Sequence, residues 1–162
     1  MSNSPKRAFG SSAKSKRKEV NLDLSTARQM LPLVRGIVGD IVTKQAELQK
    51  LHPEQDSLER HRRDLAWVER DRRYRIQEEI SATEKALKQA VNELGELGIA
   101  IVDRGEGRVA FPTRINGRPA QFSWQPGEDN VNYWSYEEEE VRRPIPTDWT
   151  PGTPLRLKGK VN

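Results

Sequence analysis

IQEEISATEKALKQAVNELGELGIAIV, residues 76–102, is the stretch that decides the fold of this chain. Its apolar positions recur at intervals of four and three residues, which predicts an α-helix with one apolar face. They are Ile76, Ile80, Thr83, Leu87, Ala90 or Val91, Leu94 and Leu97. Gly98 follows at the position where a helix commonly ends on a left-handed residue. Residues 99–102 then predict a buried strand, so a helix leads directly into a sheet.

A longer amphipathic helix is predicted before this one, over residues 24–51. Asp23 suits its N-cap, because a carboxylate can accept hydrogen bonds from the free N–H groups of a first turn. Pro32 lacks an N–H group and predicts a bend or a later start. Gly36 and Gly39 are explained either by the close approach of another helix backbone or by helix weakness alone. The apolar face comprises Ala27, Met30, Val34, Ile37, Ile41, Leu48 and Leu51.

A turn at residues 52–55 is predicted to join the two helices. Asp56 and Glu59 resemble a capping box for a second helical region over residues 57–97. At 1.5 Å per residue that region would be about 60 Å long, against about 42 Å for the first helix. A break or kink is therefore expected within residues 64–73, and the part after it is expected to pair with the first helix as an antiparallel coiled coil.

Short β segments follow the helices. The predicted strands are residues 99–103, 108–111, 113–115, 119–125 and 131–136. Asn116-Gly117 is the strongest short signal of a hairpin turn, and apolar side chains alternate within the strands. This alternation predicts an antiparallel meander with one face packed on the helices. The fold class is therefore α+β, a long antiparallel helical hairpin followed by a small antiparallel β-meander.

Length and charge divide the chain into four parts. A chain of 162 residues with 34% hydrophobic and 32% charged residues fits one domain with a modest core and exposed helices. Residues 1–20 hold six Lys and Arg against one Glu, a charge of +5. Since the net charge of the whole chain is +4, the remaining residues carry −1. We expect a disordered basic tail at 1–20, the helical hairpin at 21–98, the meander at 99–143 and an irregular Pro-rich tail at 144–162.

Several classes of site are excluded by residue usage. The chain has no cysteine, which excludes disulfides, thiol nucleophiles and cysteine zinc sites. No apolar run reaches the roughly 18 residues needed to cross a bilayer, and the N-terminus has no signal-peptide pattern, so a cytoplasmic protein without membrane contact is expected. His52 and His61 are nine residues apart, not on one helix face. We therefore predict no metal site, no cofactor and no catalytic residue.

Seven fragments together resemble a bacterial family known as domain of unknown function 2203. The fragments are DLSTARQMLPLV at 23–34, LGELGI at 94–99, GRVAFP at 107–112, NGR at 116–118, WQPGE at 124–128, YW at 133–134 and RRP at 142–144. The resemblance implies a helical hairpin with a sheet and no established activity. Ser123 and Ser135 stand where many members have Cys and His, so a site built on those residues elsewhere in the family would be lost here.

Two basic segments are candidates for nucleic-acid contact. The first lies in the N-terminal tail, and the second is a run of seven arginines at 60–75 that is interleaved with Trp67 and Tyr74. Arginine and aromatic side chains suit phosphate contacts and base stacking. A solubilising tail and a solvated helix face with i,i+4 ion pairs are the alternatives. The candidate residues are Lys14, Lys16, Arg17, Lys18, Arg62, Arg63, Arg70 and Arg73.

Aromatic residues on the strands are candidates for partner binding. Tyr133 and Trp134 must point to opposite faces of the sheet, so one is in the core and the other is exposed or covered by Ile145 or Trp149. An exposed aromatic beside arginines would suit a partner or ligand. The candidate residues are Trp124, Trp134, Arg142 and Arg143.

Three functions remain open at this point. The leading prediction is a cytoplasmic, non-enzymatic interaction or scaffold module that uses hairpin and sheet to dock a protein partner or a second copy in a homodimer. The second is an RNA- or DNA-associated accessory protein that uses the basic tail and residues 60–75. The third is a small-ligand or metal-dependent hydrolase-type site at the sheet, near Ser123, Trp124, Tyr133 and Arg142.

Overall fold

The computed structural model describes residues 21–149. It confirms the α+β class: two helices are followed by a five-stranded antiparallel sheet. The elements are α1 (Leu24–Arg60), α2 (Trp67–Glu96), β1 (Ala100–Asp103), β2 (Arg108–Ile115), β3 (Arg118–Trp124), β4 (Tyr133–Tyr136) and β5 (Arg143–Pro144). The predictions for the basic tail at 1–20 and for most of the C-terminal tail fall outside the described residues. No described helix is long and apolar enough to span a membrane.

Helix α1 begins where its cap residue predicts. The Asp23 Oδ1 atom accepts a hydrogen bond from the Thr26 N–H group at 2.7 Å, and this backbone bond lowers the pKa of the Asp23 carboxyl. Pro32 lies inside the helix, so the later start is wrong. Gly36 and Gly39 are exposed, and a methyl group added to either would have no neighbouring atom within 4 Å, so no other described helix approaches them.

The predicted turn at residues 52–55 is wrong, because α1 continues through Pro53 to Arg60. Pro53 removes one helical hydrogen bond, but contacts across the hairpin continue beyond it: Leu58 packs against the core and Glu54 pairs with α2. The chain turns instead at residues 61–66, at the edge of the predicted break. The two helices therefore have similar lengths, 37 and 30 residues.

The predicted capping box is wrong for the same reason, since Asp56 and Glu59 lie inside α1. The start of α2 is capped by a different glutamate. The Ala66 N–H group donates to the Glu69 Oε1 atom at 3.1 Å. Alanine has no side-chain acceptor, so this is only half of a capping box and the sequence signal is correspondingly weak.

The core lies between the helices and one face of the sheet. The predicted α2 stripe is confirmed at its principal positions, since Ile76, Ile80, Leu87, Ala90 and Leu94 are buried. The buried positions of α1 are Leu24, Ala27, Leu31, Val34, Ile37, Val38, Ile41 and Leu48. No residue from 49 to 75 is fully buried. We call residues 49–75 the distal section; it extends past the sheet and past the fully buried core.

Gly98 ends α2 as predicted. Its φ of 85° is left-handed, and two backbone hydrogen bonds close the helix: Gly98 N–H to Gly95 O and Ile99 N–H to Leu94 O, both at 3.0 Å. These are the two bonds of a Schellman motif. Ile99 is buried directly after it, so the motif turns the chain from the helix into the sheet.

The sheet is a meander in the order β1-β2-β3-β4-β5. Asn116 and Gly117 have φ angles of 56° and 77°, which confirms the hairpin turn between β2 and β3. The predicted gap at Pro112 is wrong, because β2 runs through it. The Pro112 carbonyl accepts from Leu22 N–H at 2.7 Å, so the missing N–H of this residue would also point away from β3.

Two connections fix the sheet on α1. The turn before β2 presses Gly107 against Val38 and Val42, so a methyl group added at this glycine would lie 2.7 and 2.9 Å from their side chains. Farther along, Arg28 Nε donates to Val131 O at 3.1 Å and Arg35 Nη2 donates to Asp129 O at 2.7 Å. The loop between β3 and β4 is thereby held on the helix.

Candidate functional site at the hairpin tip

The hairpin tip, which we define as residues 54–75, carries three large apolar side chains in solvent. Trp67 and Val68 are each 71% exposed and Tyr74 is 63% exposed. They are half of the six exposed large apolar residues in the described part of the chain. Such clustering is uncommon on a solvated face and is typical of a contact surface.

The helical spacing explains this exposure. Trp67 and Tyr74 are seven residues apart and lie on one face of α2, with Arg70 on the same side. Ile76 and Ile80 point the opposite way, into α1. The outer face of α2 therefore begins with an aromatic pair that contributes nothing to the fully buried core.

Ion pairs between the helices order the tip. Arg72 Nε lies 2.8 Å from Glu54 Oε2, and Arg73 Nε lies 2.5 Å from Glu59 Oε1. These hydrogen bonds lower the pKa values of both glutamates and raise those of both arginines. Arg73, one of the predicted nucleic-acid-binding residues, is therefore engaged in holding α1 to α2.

The other tip arginines are differently placed. Arg60, Arg63 and Arg70 are exposed and have no carboxylate within 4.0 Å among the described residues. Arg62 makes only a long contact with Glu59, with 3.9 Å between Nη1 and Oε2, which is at the limit of an ion pair. The predicted residues Arg62, Arg63 and Arg70 all lie in the hairpin tip, as does Arg60, and Arg70 is one helical turn from Trp67 on the same face of α2. Lys14, Lys16, Arg17 and Lys18 lie outside the described residues.

A second cluster lies on the sheet, centred on Arg142. Its guanidinium makes a two-pronged ion pair with Glu128, at 2.7 and 2.9 Å, and donates through Nε to Ser123 Oγ at 2.8 Å. It also lies over the Tyr133 ring, 4.4 Å from its centroid. The sequence pointed to Ser123, Tyr133 and Arg142 but missed Glu128. Glu128 lies in the turn sequence WQPGE, and nothing in that sequence indicated that it pairs with Arg142, 14 residues further along the chain.

The aromatic partner-binding candidates are buried. Trp124 is 3% exposed and donates through Nε1 to Glu128 O at 2.9 Å. Trp134 is 2% exposed, with the Trp149 ring 5.8 Å away and the Arg143 guanidinium 4.9 Å away. Trp134 is therefore the core member of the Tyr133–Trp134 pair, on the same face as Phe122, and Tyr133 lies half-buried on the other face under Arg142. A partner-binding role for these residues, with Arg142, stays a prediction.

No group of three or more candidate metal ligands occurs within residues 21–149. A model of a family described as an uncharacterized conserved protein, DUF2203, matches residues 22–145. The chain belongs to the DUF2203 family. This match covers both helices and all five strands, and it confirms the resemblance seen in the sequence. No curated protein matches the DUF2203 chain, and no solved structure does.

Proposed function

We propose that this DUF2203 chain is a non-enzymatic interaction module that docks a protein partner through its hairpin tip. The observation that carries the proposal is the exposure of Trp67, Val68 and Tyr74 at one end of the molecule. Exposed aromatic side chains beside arginines are the residue types that dominate binding energy at protein interfaces. The arginines without carboxylates favour a partner with an acidic surface.

Photo-crosslinking in the cells that produce the protein tests this proposal. A benzophenone amino acid replaces Trp67 in one variant and Gln89, an exposed residue of α2 beyond the tip, in the other. We expect a discrete adduct from position 67 and none from position 89. The adduct should disappear when Arg60, Arg63 and Arg70 are changed to Gln, because the acidic partner surface then loses its counter-charges.

The stability of the tip variants provides the control. Trp67→Ser, Val68→Ser and Tyr74→Ser should each change the free energy of unfolding by no more than about 0.5 kcal/mol, because these side chains lie in water. Equal crosslinking from both positions, or no adduct from position 67, would contradict the proposal. A large loss of stability would show that these side chains serve the fold instead.

Single-stranded nucleic acid is the second candidate partner. It is favoured by one observation: Arg60, Arg63 and Arg70 have no carboxylate within 4.0 Å among the described residues, and they share the tip with the exposed Trp67. Guanidinium groups can contact phosphates while bases stack on the indole. The ion pairs of Arg72 and Arg73 and of Arg75 with Asp71 reduce the number of cations available, so the protein partner stays the leading proposal.

A salt titration of binding to fluorescent single-stranded RNA tests the second candidate. Arg60→Gln/Arg63→Gln/Arg70→Gln is compared with Lys85→Gln/Lys88→Gln/Arg104→Gln, which removes the same charge from exposed sites outside the tip. Binding at the tip predicts that only the first variant flattens the plot of log affinity against log salt, by about two units for three phosphates. Equal effects of both variants, or no binding at low salt, would exclude the tip as an RNA site.

The hydrolase-type site has less support than either of these two proposals. Ser123 is buried and its hydroxyl accepts from Arg142, so it is engaged in the Arg142 cluster. A cytoplasmic location agrees with a chain that has no cysteine. That location, coiled-coil packing of the hairpin and self-association stay predictions.

A further inference from the structure

A cavity of about 410 Å³ lies where α1, the start of β4 and the segment after β5 meet. This volume is within the range of small-molecule sites, about 300 to 1,000 Å³. The hairpin tip is at the other end of the helices, so the cavity is separate from the docking surface. Its lining includes Leu24, Arg28, Tyr133, Ile145, Thr147 and Trp149.

Arg28 is the unusual residue of this cavity. Six arginines of the described chain are half-buried, namely Arg28, Arg72, Arg73, Arg108, Arg142 and Arg143. Five of them lie within 4.0 Å of a carboxylate, and Arg28 is the exception among the described residues. Partial burial of a guanidinium without a counter-anion is unfavourable, which a bound anion would relieve.

The Arg28 guanidinium is also held in place. Its Nε atom donates to Val131 O at 3.1 Å and its Nη2 atom donates to Asn132 Oδ1 at 3.3 Å. These bonds occupy one edge of the group, and no described acceptor is bonded to Nη1. A guanidinium fixed in this way loses little freedom when it binds a carboxylate, whose planar geometry it matches.

The other residues that line the cavity offer hydroxyl groups and apolar surface, which suit an organic acid with an apolar body. Tyr133 and Thr147 bring hydroxyl groups, and Leu24 and Ile145 bring apolar surface. Trp149 also forms part of the wall, and its buried indole N–H has no acceptor among the described residues. No described Asp or Glu lines the cavity. The charged and donor groups of this wall therefore lack anionic acceptors within the described chain.

We propose that this cavity binds a small organic acid, with its carboxylate on Arg28 and its apolar body against Leu24 and Ile145. The inference is independent of the tip, because none of its residues belongs to the docking surface. Benzoate is a suitable probe, and benzamide has the same shape without the charge. Inorganic phosphate tests whether any anion suffices.

The experiment is a titration of the full chain with each probe, followed by nuclear magnetic resonance and calorimetry. We expect saturable binding of benzoate, with shifts in the indole and backbone signals of Trp149. The affinity for benzamide should be lower than that for benzoate by at least about tenfold. Arg28→Gln should lose at least about tenfold in benzoate affinity. Arg35→Gln is the matched control, since Arg35 also bonds a carbonyl of the loop from α1 but lies outside this cavity.

Four outcomes would overturn the proposal. One is no saturable binding of benzoate to the folded wild-type chain. Another is an equal affinity for benzoate and benzamide, which needs no variant and so holds even where Arg28→Gln fails to fold. The third is an equal loss in Arg28→Gln and Arg35→Gln. Phosphate that binds as tightly as benzoate would overturn the organic-acid class, because the apolar wall would then contribute nothing.

Discussion

At the scale of single residues, Gly107 shows how closely the turn before β2 approaches α1. Its φ of 78° is left-handed, and a methyl group there would meet Val38 and Val42 at 2.7 and 2.9 Å. Gly117 has nearly the same φ, 77°, but a methyl group there would have nothing within 4 Å. The two glycines therefore separate backbone strain from steric overlap.

We predict that Gly107→Ala destabilises the protein more than Gly117→Ala does. Both variants carry the cost of a left-handed alanine, about 1–2 kcal/mol. Gly107→Ala adds overlap with two valines, worth about another 1–3 kcal/mol. Urea unfolding of the two variants measures the difference. Equal losses would show that the turn moves away from α1 without cost.

Single residues were predictable from the sequence where their role is local. Asp23 and Gly98 act on backbone groups within a few positions, and Asn116 with Gly117 forms its own turn. Arg28 was not recognised, because its contacts are 103 and 104 residues away in the chain. Distance along the sequence, more than residue type, limited the prediction of the cavity around Arg28.

At the scale of elements, the hairpin shows how packing overrides a local signal. His52-Pro53 has the composition of a turn, yet α1 passes through it because cross-helix contacts continue beyond. For the arginine-rich segment, the sequence suggested ion pairs within one helix but could not show which arginines pair with glutamates of the other helix. The structure divides it into arginines that hold the helices together and arginines that face solvent.

The ion pairs across the tip predict a dependence of stability on pH. Hydrogen bonds from Arg72 and Arg73 lower the pKa values of Glu54 and Glu59 in the folded state. Their contribution is therefore complete above the ordinary glutamate pKa of about 4.3 and is lost as the pH falls through the lowered values. Glu54→Gln/Glu59→Gln should lower the melting temperature at neutral pH, with the difference shrinking towards about pH 3.

Glu78→Gln is the control for this prediction, because Glu78 is exposed on α2 and belongs to none of the ion pairs found in the described chain. Its melting temperature should follow that of the wild type at both pH values. A pH-independent difference for Glu54→Gln/Glu59→Gln would mean that helix propensity, rather than the ion pairs, sets the effect.

At the scale of the whole molecule, the order of the parts was predictable. Periodicity changed from helical to alternating at Gly98, and this fixed a hairpin followed by a meander. The seating of the sheet on α1 was not predictable, because it depends on Gly107 fitting against Val38 and on arginine bonds to loop carbonyls. Neither interaction leaves a periodic trace in the sequence.

The position of the fully buried core also bears on how this protein unfolds. Such burial ends at Leu48 in α1 and begins again at Ile76 in α2, so ion pairs and partly buried contacts hold the distal section. Ion pairs at the surface are weak and are screened by salt. The buried apolar contacts at the sheet end are not screened in this way. The distal section can therefore open while the sheet end stays folded. We therefore expect the backbone amides of the distal section to exchange with a lower free energy of opening than those of the sheet end.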